Sequence, residues 1–264
     1  MAGLCQAEIA QYRELGYLRV PVFRPRDLSR LRADLDRLVD QWAAKDQGWT
    51  GPWRTAYMDP ETEKHSQLVH LHDLHRYAAS WNDAVRHPKL ARALAALIGP
   101  SVELHHTTLH FKPPETGHPF PMHQDSAFYR HADARYTVCL VHLDDTHDDN
   151  GCIRLLAGSH RRGHLQHVTQ TPAGECTPHL PTASYDLEET VPVPACAGDV
   201  VLFDIFLVHG SRINRTGRAR RIVRFGYRNP DNVQLTGQSL GRPGPMIAGI
   251  RPRAPEQPRL GTSI

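Results

Sequence analysis

Pro121-Met122-His123-Gln124-Asp125-Ser126, taken with Leu207-Val208-His209-Gly210-Ser211, is the sequence on which the reading of this chain turns. His123 and Asp125 stand two apart, a spacing that on an extended strand sends both side chains to one face. An imidazole and a carboxylate then converge on one point. A second imidazole, from His209, would complete two histidines and one carboxylate on one side of a metal ion. About three positions of an octahedron would stay open, the arrangement suited to non-haem Fe(II). The chain holds 18 histidines, so the triplet alone decides little. A His-x-Asp pair also serves as a local hydrogen bond.

The sequence after His209 adds weight. Asn214 to Gly217 reads as a turn, because Asn and Gly supply the backbone angles a reversal needs. Arg220 to Tyr227 then alternates like a strand. Such a strand is expected to return antiparallel beside the one carrying His209, about 5 Å away, with Arg220 pointing inward and Arg221 outward. A guanidinium suits a bidentate grip on a carboxylate. A metal with open positions, and a guanidinium set back from it by the length of a small diacid, match 2-oxoglutarate. Its 2-oxo acid end would chelate the metal and its distal carboxylate would meet Arg220.

At this point the chain resembles the phytanoyl-CoA dioxygenase family of Fe(II)/2-oxoglutarate-dependent oxygenases. The resemblance rests on His123-Gln124-Asp125, on the run Asp149-Asn150-Gly151 through Ala157-Gly158-Ser159-His160, on Gly198-Asp199 leading to Leu202-Phe203, and on His209, Ser211, Asn214 and Arg220. It spans roughly residues 8 to 230, and one departure, Ala157 where the family usually has proline before Gly-Ser-His, touches a loop. The resemblance implies a double-stranded β-helix, a jelly-roll or cupin-like barrel that is mainly β with flanking α-helices. It also implies Fe(II) held by His123, Asp125 and His209, with 2-oxoglutarate bound by Arg220 and Ser211. The implied reaction is hydroxylation of an unactivated C–H bond of a small molecule by O2, releasing succinate and carbon dioxide. Related halogenases replace the carboxylate with a small residue. Asp125 is present here, which favours hydroxylation, with desaturation, cyclisation or epimerisation left open. A natural product, an amino-acid-like compound or an acyl metabolite would all serve as substrate, and no signal for a CoA pyrophosphate stands out. Two rivals predict no consumption of 2-oxoglutarate: a metal-binding barrel without turnover, and a zinc hydrolase, which has no use for Arg220.

Composition agrees with one domain over 1–264. With 40% hydrophobic residues the chain can build a sizeable core. The net charge of +3 with scattered arginines gives no case for nucleic acid. Five cysteines without a C-x-x-C spacing argue against a disulfide framework, and most are expected to be small buried hydrophobes. Glu8, Arg13 and Glu14 interrupt any leader-like run and Leu94 to Ile98 is too short to cross a bilayer, so the expectation is a cytoplasmic protein with no membrane contact. The oligomeric state is not legible.

In order, Ala7 to Leu15 reads as a helix closed by Gly16, Tyr17 to Pro21 as a strand, and Asp27 to Ala44 as an amphipathic helix. Helices are also expected near Tyr77 to Val85 and Pro88 to Ile98, so residues 1–100 form a helical buttress. The barrel follows over about 101–230 and a Pro/Gly/Arg-rich, partly disordered tail over about 231–264. Residues 46–66, with Trp49, Trp53 and Tyr57, form a loop pinned by aromatics or a flap lining the substrate mouth. His70, His72 and His75 read as hydrogen-bonded or solvated histidines, and Asp144 to Asp149 as a polar turn. Val102 to Lys112 alternates, with Leu104, His106, Thr108 and His110 on one face. If that face points inward, Thr108 touches the cosubstrate or the substrate, and His110 the substrate. Phe128 and Arg130, behind the metal motif, and Arg224, four residues beyond Arg220, are candidate substrate contacts. Arg130 and Arg224 would meet an anionic group. Residues 161–188 lack a period and are expected to be a mobile, substrate-shaping segment.

Overall fold

The computed structural model describes residues 3–252. The chain begins with helix α1 (Gln6–Leu15), strand β1 (Tyr17–Pro21) and helix α2 (Pro25–Trp42). Gly16, at φ +84°, ends α1 in a left-handed conformation and donates its N–H to the Tyr12 carbonyl. Then come β2 (Ala44–Asp46), the short helices α3 (Arg54–Tyr57) and α4 (Pro60–His65), β3 (Leu68–His70), α5 (Ala79–Val85) and α6 (Pro88–Ile98). The remaining strands are β4 (Val102–Lys112), β5 (Phe120–His123), β6 (Tyr136–His142), β7 (Ile153–Leu155), β8 (Val168–Thr171), β9 (Gly174–His179), β10 (Val191–Pro192), β11 (Asp199–Asp204), β12 (His209–Ser211), β13 (Arg220–Arg228) and β14 (Met246–Ala248).

Two antiparallel sheets result, one in the order β1-β11-β6-β13-β4-β3-β2 with β14 added on β4, the other in the order β10-β7-β12-β5. Alternation along the strands divides the core between two layers. Val138, Leu140, Val201, Phe203 and Ile222 point inward and pack with Ile153, Leu155 and Val193 of the smaller sheet. Cys139, Val141, Val200, Leu202, Val223 and Phe225 point outward, against Leu28, Leu31, Leu35, Trp81, Leu90 and Leu94 of the helices. This is the expected jelly roll with external helices. The first hundred residues are not purely helical, however, since β1, β2 and β3 extend the larger sheet.

Five expectations need correction. The strand after the Asn214 turn does not pair beside His209: β12 pairs with β5 and β7, whereas β13 pairs with β4 and β6. The turn therefore crosses between sheets, and Arg220 faces the histidines across the interior. The alternation of β4 also breaks, because Gly226 lies opposite His106 and Tyr227 opposite Leu104, leaving His105 as a bulge. Leu104 thus joins the helix-side core, separated from His106, Thr108 and His110. Residues 161–188 have structure of their own, a β8-β9 hairpin. The stretch 231–252 folds back onto β4, while 253–264 lie outside the described residues. Leu104 N–H donates to the Pro245 carbonyl at 3.0 Å, and a Cβ on Gly244 would collide with the Leu104 carbonyl oxygen. Of the five free cysteines only Cys139 and Cys152 are buried, Cys5 and Cys196 being exposed, so burial does not account for most of them. No described helix is long and apolar enough to cross a membrane.

Asp204 closes β11 and shapes the turn toward His209 by accepting the Phe206 N–H at 2.8 Å. Burial pushes its carboxyl up to about 7. Between the ordinary aspartate value of about 4 and that value, the folded chain keeps a proton that the unfolded chain has released, so this group's contribution to stability falls as pH rises through that window. Asp204→Asn should therefore gain on wild type between pH 5 and pH 8, by on the order of a few kcal/mol, in paired denaturation curves. A gap independent of pH would contradict the assignment.

Candidate metal centre

Strand β5 ends at His123, and Asp125 opens a 3-10 turn, Asp125–Ala127. The pair is thus not carried by one strand, yet both side chains still converge. His209 is the cross-strand partner of His123, with ring centroids 4.1 Å apart. His123 Nδ1–H donates to the Pro121 carbonyl at 2.7 Å and His209 Nδ1–H to the Leu207 carbonyl at 2.9 Å. Those bonds fix the tautomer and turn each Nε2 toward Asp125 Oδ1, at 3.9 and 4.0 Å. Burial lowers both imidazole pKa values, so each ring offers a lone pair instead of a proton. Oδ1, which both Nε2 atoms approach, is the oxygen placed to meet a cation, and Oδ2 is buried with no hydrogen-bond partner. One donor atom from each residue lies within 4.8 Å of the others, the one such cluster among the described residues. Neutral imidazoles, a buried carboxylate and open space fit an Fe(II) ion.

Gln124, between the two ligands, points the other way. Its amide N–H groups donate to the Gly163 carbonyl at 2.8 Å and the Phe206 carbonyl at 2.6 Å, its Oε1 accepts from Leu165 N–H at 2.7 Å, and its own N–H donates to His167 Nε2 at 3.0 Å. Ser159 Oγ accepts the Val208 N–H at 2.9 Å, steadying the approach to His209. Asn214 Nδ2 donates to the carbonyls of Lys112, Pro113 and Arg218, which ties the sheet crossing to the end of β4.

An inner cavity lies between the sheets, lined by His123, His209, Ser211, Arg220, Ile222 and Arg224 among others. Arg220 is 4% exposed, and its Nε has no partner. Opposite it in register on β4 stands Lys112, fully buried, which donates from Nζ to Ser211 Oγ at 2.8 Å and to the Arg212 carbonyl. Burial and the neighbouring Arg220 push the Lys112 pKa down, and burial lowers that of Arg220 to about 10. Arg220 and Lys112 are therefore buried together, and among the described residues no carboxylate is bonded to either. Lys112 was missed by the sequence reading, since a lysine ending a strand normally signals solvent.

The other expected residues sort by cavity. Thr108 lines an outer cavity, together with Trp49, His72, Phe128 and Gln238, and not the inner one. His110, Phe120 and Arg224 line both. Arg130, beyond the 3-10 turn, is exposed and lines neither. Arg224 donates from Nη1 to Asp125 Oδ1 at 2.8 Å. Trp49 packs on His123 with centroids 4.7 Å apart and on Phe128 at 4.8 Å, while Trp53 is buried against His118 and Tyr57. The 46–66 segment is thus at once pinned and part of the cavity wall. His70 bonds to Asp46, His72 to Thr108 and His75 to Thr107. Asp144 and Asp148 are held by arginines: Asp144 by Arg221, which does face outward, and Asp148 by Arg154.

Fold and site together define a metalloprotein with two histidines and one carboxylate on a double-stranded β-helix. The chain belongs to the phytanoyl-CoA dioxygenase family, whose model matches residues 12–222. It is 30% identical over 174 residues to a probable alpha-ketoglutarate-dependent hypophosphite dioxygenase of Stutzerimonas stutzeri, covering 64% of this chain and 60% of that protein. It is 27% identical over 242 residues to the peroxisomal phytanoyl-CoA dioxygenase of Rattus norvegicus, covering 83% of this chain and 67% of the rat protein. In fold it is similar to the non-heme alpha ketoglutarate dependent carbocyclase SnoK of nogalamycin biosynthesis, with a TM-score of 0.72 at 19% identity over 89% of this chain and 87% of that one. EctD from S. alaskensis, solved with 2-oxoglutarate and 5-hydroxyectoine, superposes with a TM-score of 0.68 at 21% identity over 95% and 86%.

A divalent ion that binds only the folded chain raises its unfolding midpoint, by about 2.7 kcal/mol at a hundredfold excess over Kd. Anaerobic Fe(II) or Co(II) should do so for wild type in thermal scans and fail to do so for Asp125→Ala, whose ligand set is broken. A rise of equal size in the variant would place the ion elsewhere.

Proposed function

We propose that this protein is an Fe(II)/2-oxoglutarate-dependent dioxygenase that hydroxylates a C–H bond of a small molecule. The observation that carries this reading is Arg220, buried with its Nε unpartnered and lining one cavity with His123 and His209, with Lys112 buried beside it and, among the described residues, no carboxylate bonded to either. A buried charge is costly unless paired. A dicarboxylate reaching from the metal triad toward β13 would supply the missing anion.

In this reading His123, Asp125 and His209 hold the ion on one side and leave its inner face free. Arg220 grips the distal carboxylate of the cosubstrate in the manner of a fork, Lys112 adds a second charge, and Ser211 Oγ, already held by Lys112 Nζ, orients beside them. Phe120, Ile153, Leu140 and Phe203 shield that carboxylate from water, which strengthens each of these contacts. When bound, Fe(II) with 2-oxoglutarate and O2 supplies the oxidising chemistry, yielding succinate and carbon dioxide. The outer cavity, walled by Trp49, Phe128 and His110, holds the substrate with its reacting carbon toward the metal. Family members that act on hypophosphite, ectoine and phytanoyl-CoA support a small-molecule substrate.

The test is anaerobic addition of Fe(II) and 2-oxoglutarate, read as the weak visible charge-transfer band of the chelate. Wild type should show it and His123→Ala should not. Arg220→Ala and Lys112→Met should each raise the 2-oxoglutarate concentration needed for half-formation, by about 30-fold or more for the arginine, since each loses a buried charged hydrogen bond. A folded, iron-loaded wild type without the band sinks the reading.

A further inference from the structure

The outer cavity has a floor that the cosubstrate does not use. Arg224 enters it from β13, 8% exposed, next to Thr108, which is 5% exposed. A guanidinium carries five N–H donors. Arg224 spends one of them on Asp125, and its Nε is buried without a partner. The remaining walls supply no counter-charge. Burial lowers the pKa of His72 and, more strongly, of His110, with Arg224 adding to both effects, so at neutral pH these imidazoles are neutral. The carboxylate that does border this cavity, Asp46, is exposed at the rim and bonded to His70 Nε2 at 3.1 Å.

Summing the charges sharpens the point. Asp125 and the metal-bound carboxylate of 2-oxoglutarate offset a divalent ion, and the distal carboxylate offsets Arg220. Arg224 remains, so the loaded site is still positive in the interior, where an unbalanced charge is costly.

We propose that the substrate binds through a small oxyanion, a carboxylate or a phosphonate, gripped by the free edge of the Arg224 guanidinium, with Thr108 Oγ1 alongside. The inference rests on the oxygenase reading and narrows its substrate class. Arg224 then holds the metal's carboxylate ligand with one edge and the substrate with the other, which places the substrate's anionic end beside Asp125 and its next carbons over the ion's open face. Trp49 and Phe128 give those carbons an apolar wall.

The test uses the anaerobic Fe(II)–2-oxoglutarate protein titrated with acetate, with methylphosphonate, and with neutral acetamide. Two signals are followed: the charge-transfer band, and the tryptophan fluorescence component lost in Trp49→Phe, which is read whether or not the band forms. The expected result is a saturable change with one or both anions and none with acetamide. Whichever of acetate and methylphosphonate binds more tightly identifies the group. Arg224→Lys keeps a charge beside Asp125 but loses the fork, and should weaken anion binding by about tenfold or more while the band persists. Thr108→Val, which leaves Asp125 untouched, should weaken it several-fold. A normal band without any saturable anion response, or a response of equal strength in Arg224→Lys, overturns the anion grip and leaves the oxygenase reading standing. Absence of the band in wild type sinks the oxygenase reading itself.

Discussion

The side chain of Gln124 is the constraint on which the metal centre depends. A single amide, between two metal ligands in the chain, bonds to Gly163, Leu165 and Phe206. Two segments far apart in sequence, 163–165 and the turn at Phe206, are thereby held to the strand that carries His123. Each bond is ordinary in strength, worth about 1 kcal/mol net, but the amide is buried and all of them are made at once. Losing any one would leave a polar group unsatisfied in the interior, which costs more than the bond gave. The same side chain fastens Gly163 and Leu165, so the start of the aperiodic stretch 161–188 is held by the motif.

What the sequence revealed and what it hid divide along a physical line. Local alternation and turn chemistry located β4 and β13 almost to the residue, because successive side chains of a strand point to opposite faces. The His123, Asp125 and His209 cluster was legible because few other purposes bring those three residue types to the ends of short strands. The membership of a strand in one sheet or the other was not legible. His209 and Arg220 are joined by a turn that looks like any hairpin, and only the tertiary bonds of Asn214 to Lys112, Pro113 and Arg218 reveal a crossing. The bulge at His105 escaped for a similar reason, since an inserted residue leaves the composition of a strand unchanged while reversing the facing of all that precedes it. Arg130, expected near the substrate, is exposed, and Lys112, to which the sequence reading gave no role, is drawn in by Ser211 and the Arg212 carbonyl.

Electrostatically the interior is arranged by subtraction. Its histidines are stripped of charge by burial, and Asp125 is committed to the metal position and to Arg224. What remains are cations: Arg220 and Lys112 on one side of the triad and Arg224 on the other. A barrel built in this way selects its contents by sign before shape. Neutral imidazoles can sit close to all three cations without competing for anions, which accounts for the tolerance of so many histidines around one cavity.

The segment after β13 has a role that its composition conceals. Glu103 is 1% exposed and takes Arg228 at 2.7 Å, Arg251 at 3.2 Å and the Gly244 N–H at 3.0 Å, and β14 lies against the first residues of β4. Those residues would otherwise present open backbone donors and acceptors along the flank of the larger sheet, a template for any extended chain in a crowded solution. Residues 231–252 thus act as a selvedge, the bound edge of a woven cloth. They cover the flank of a sheet of this width after the sequence that carries its candidate site has already ended.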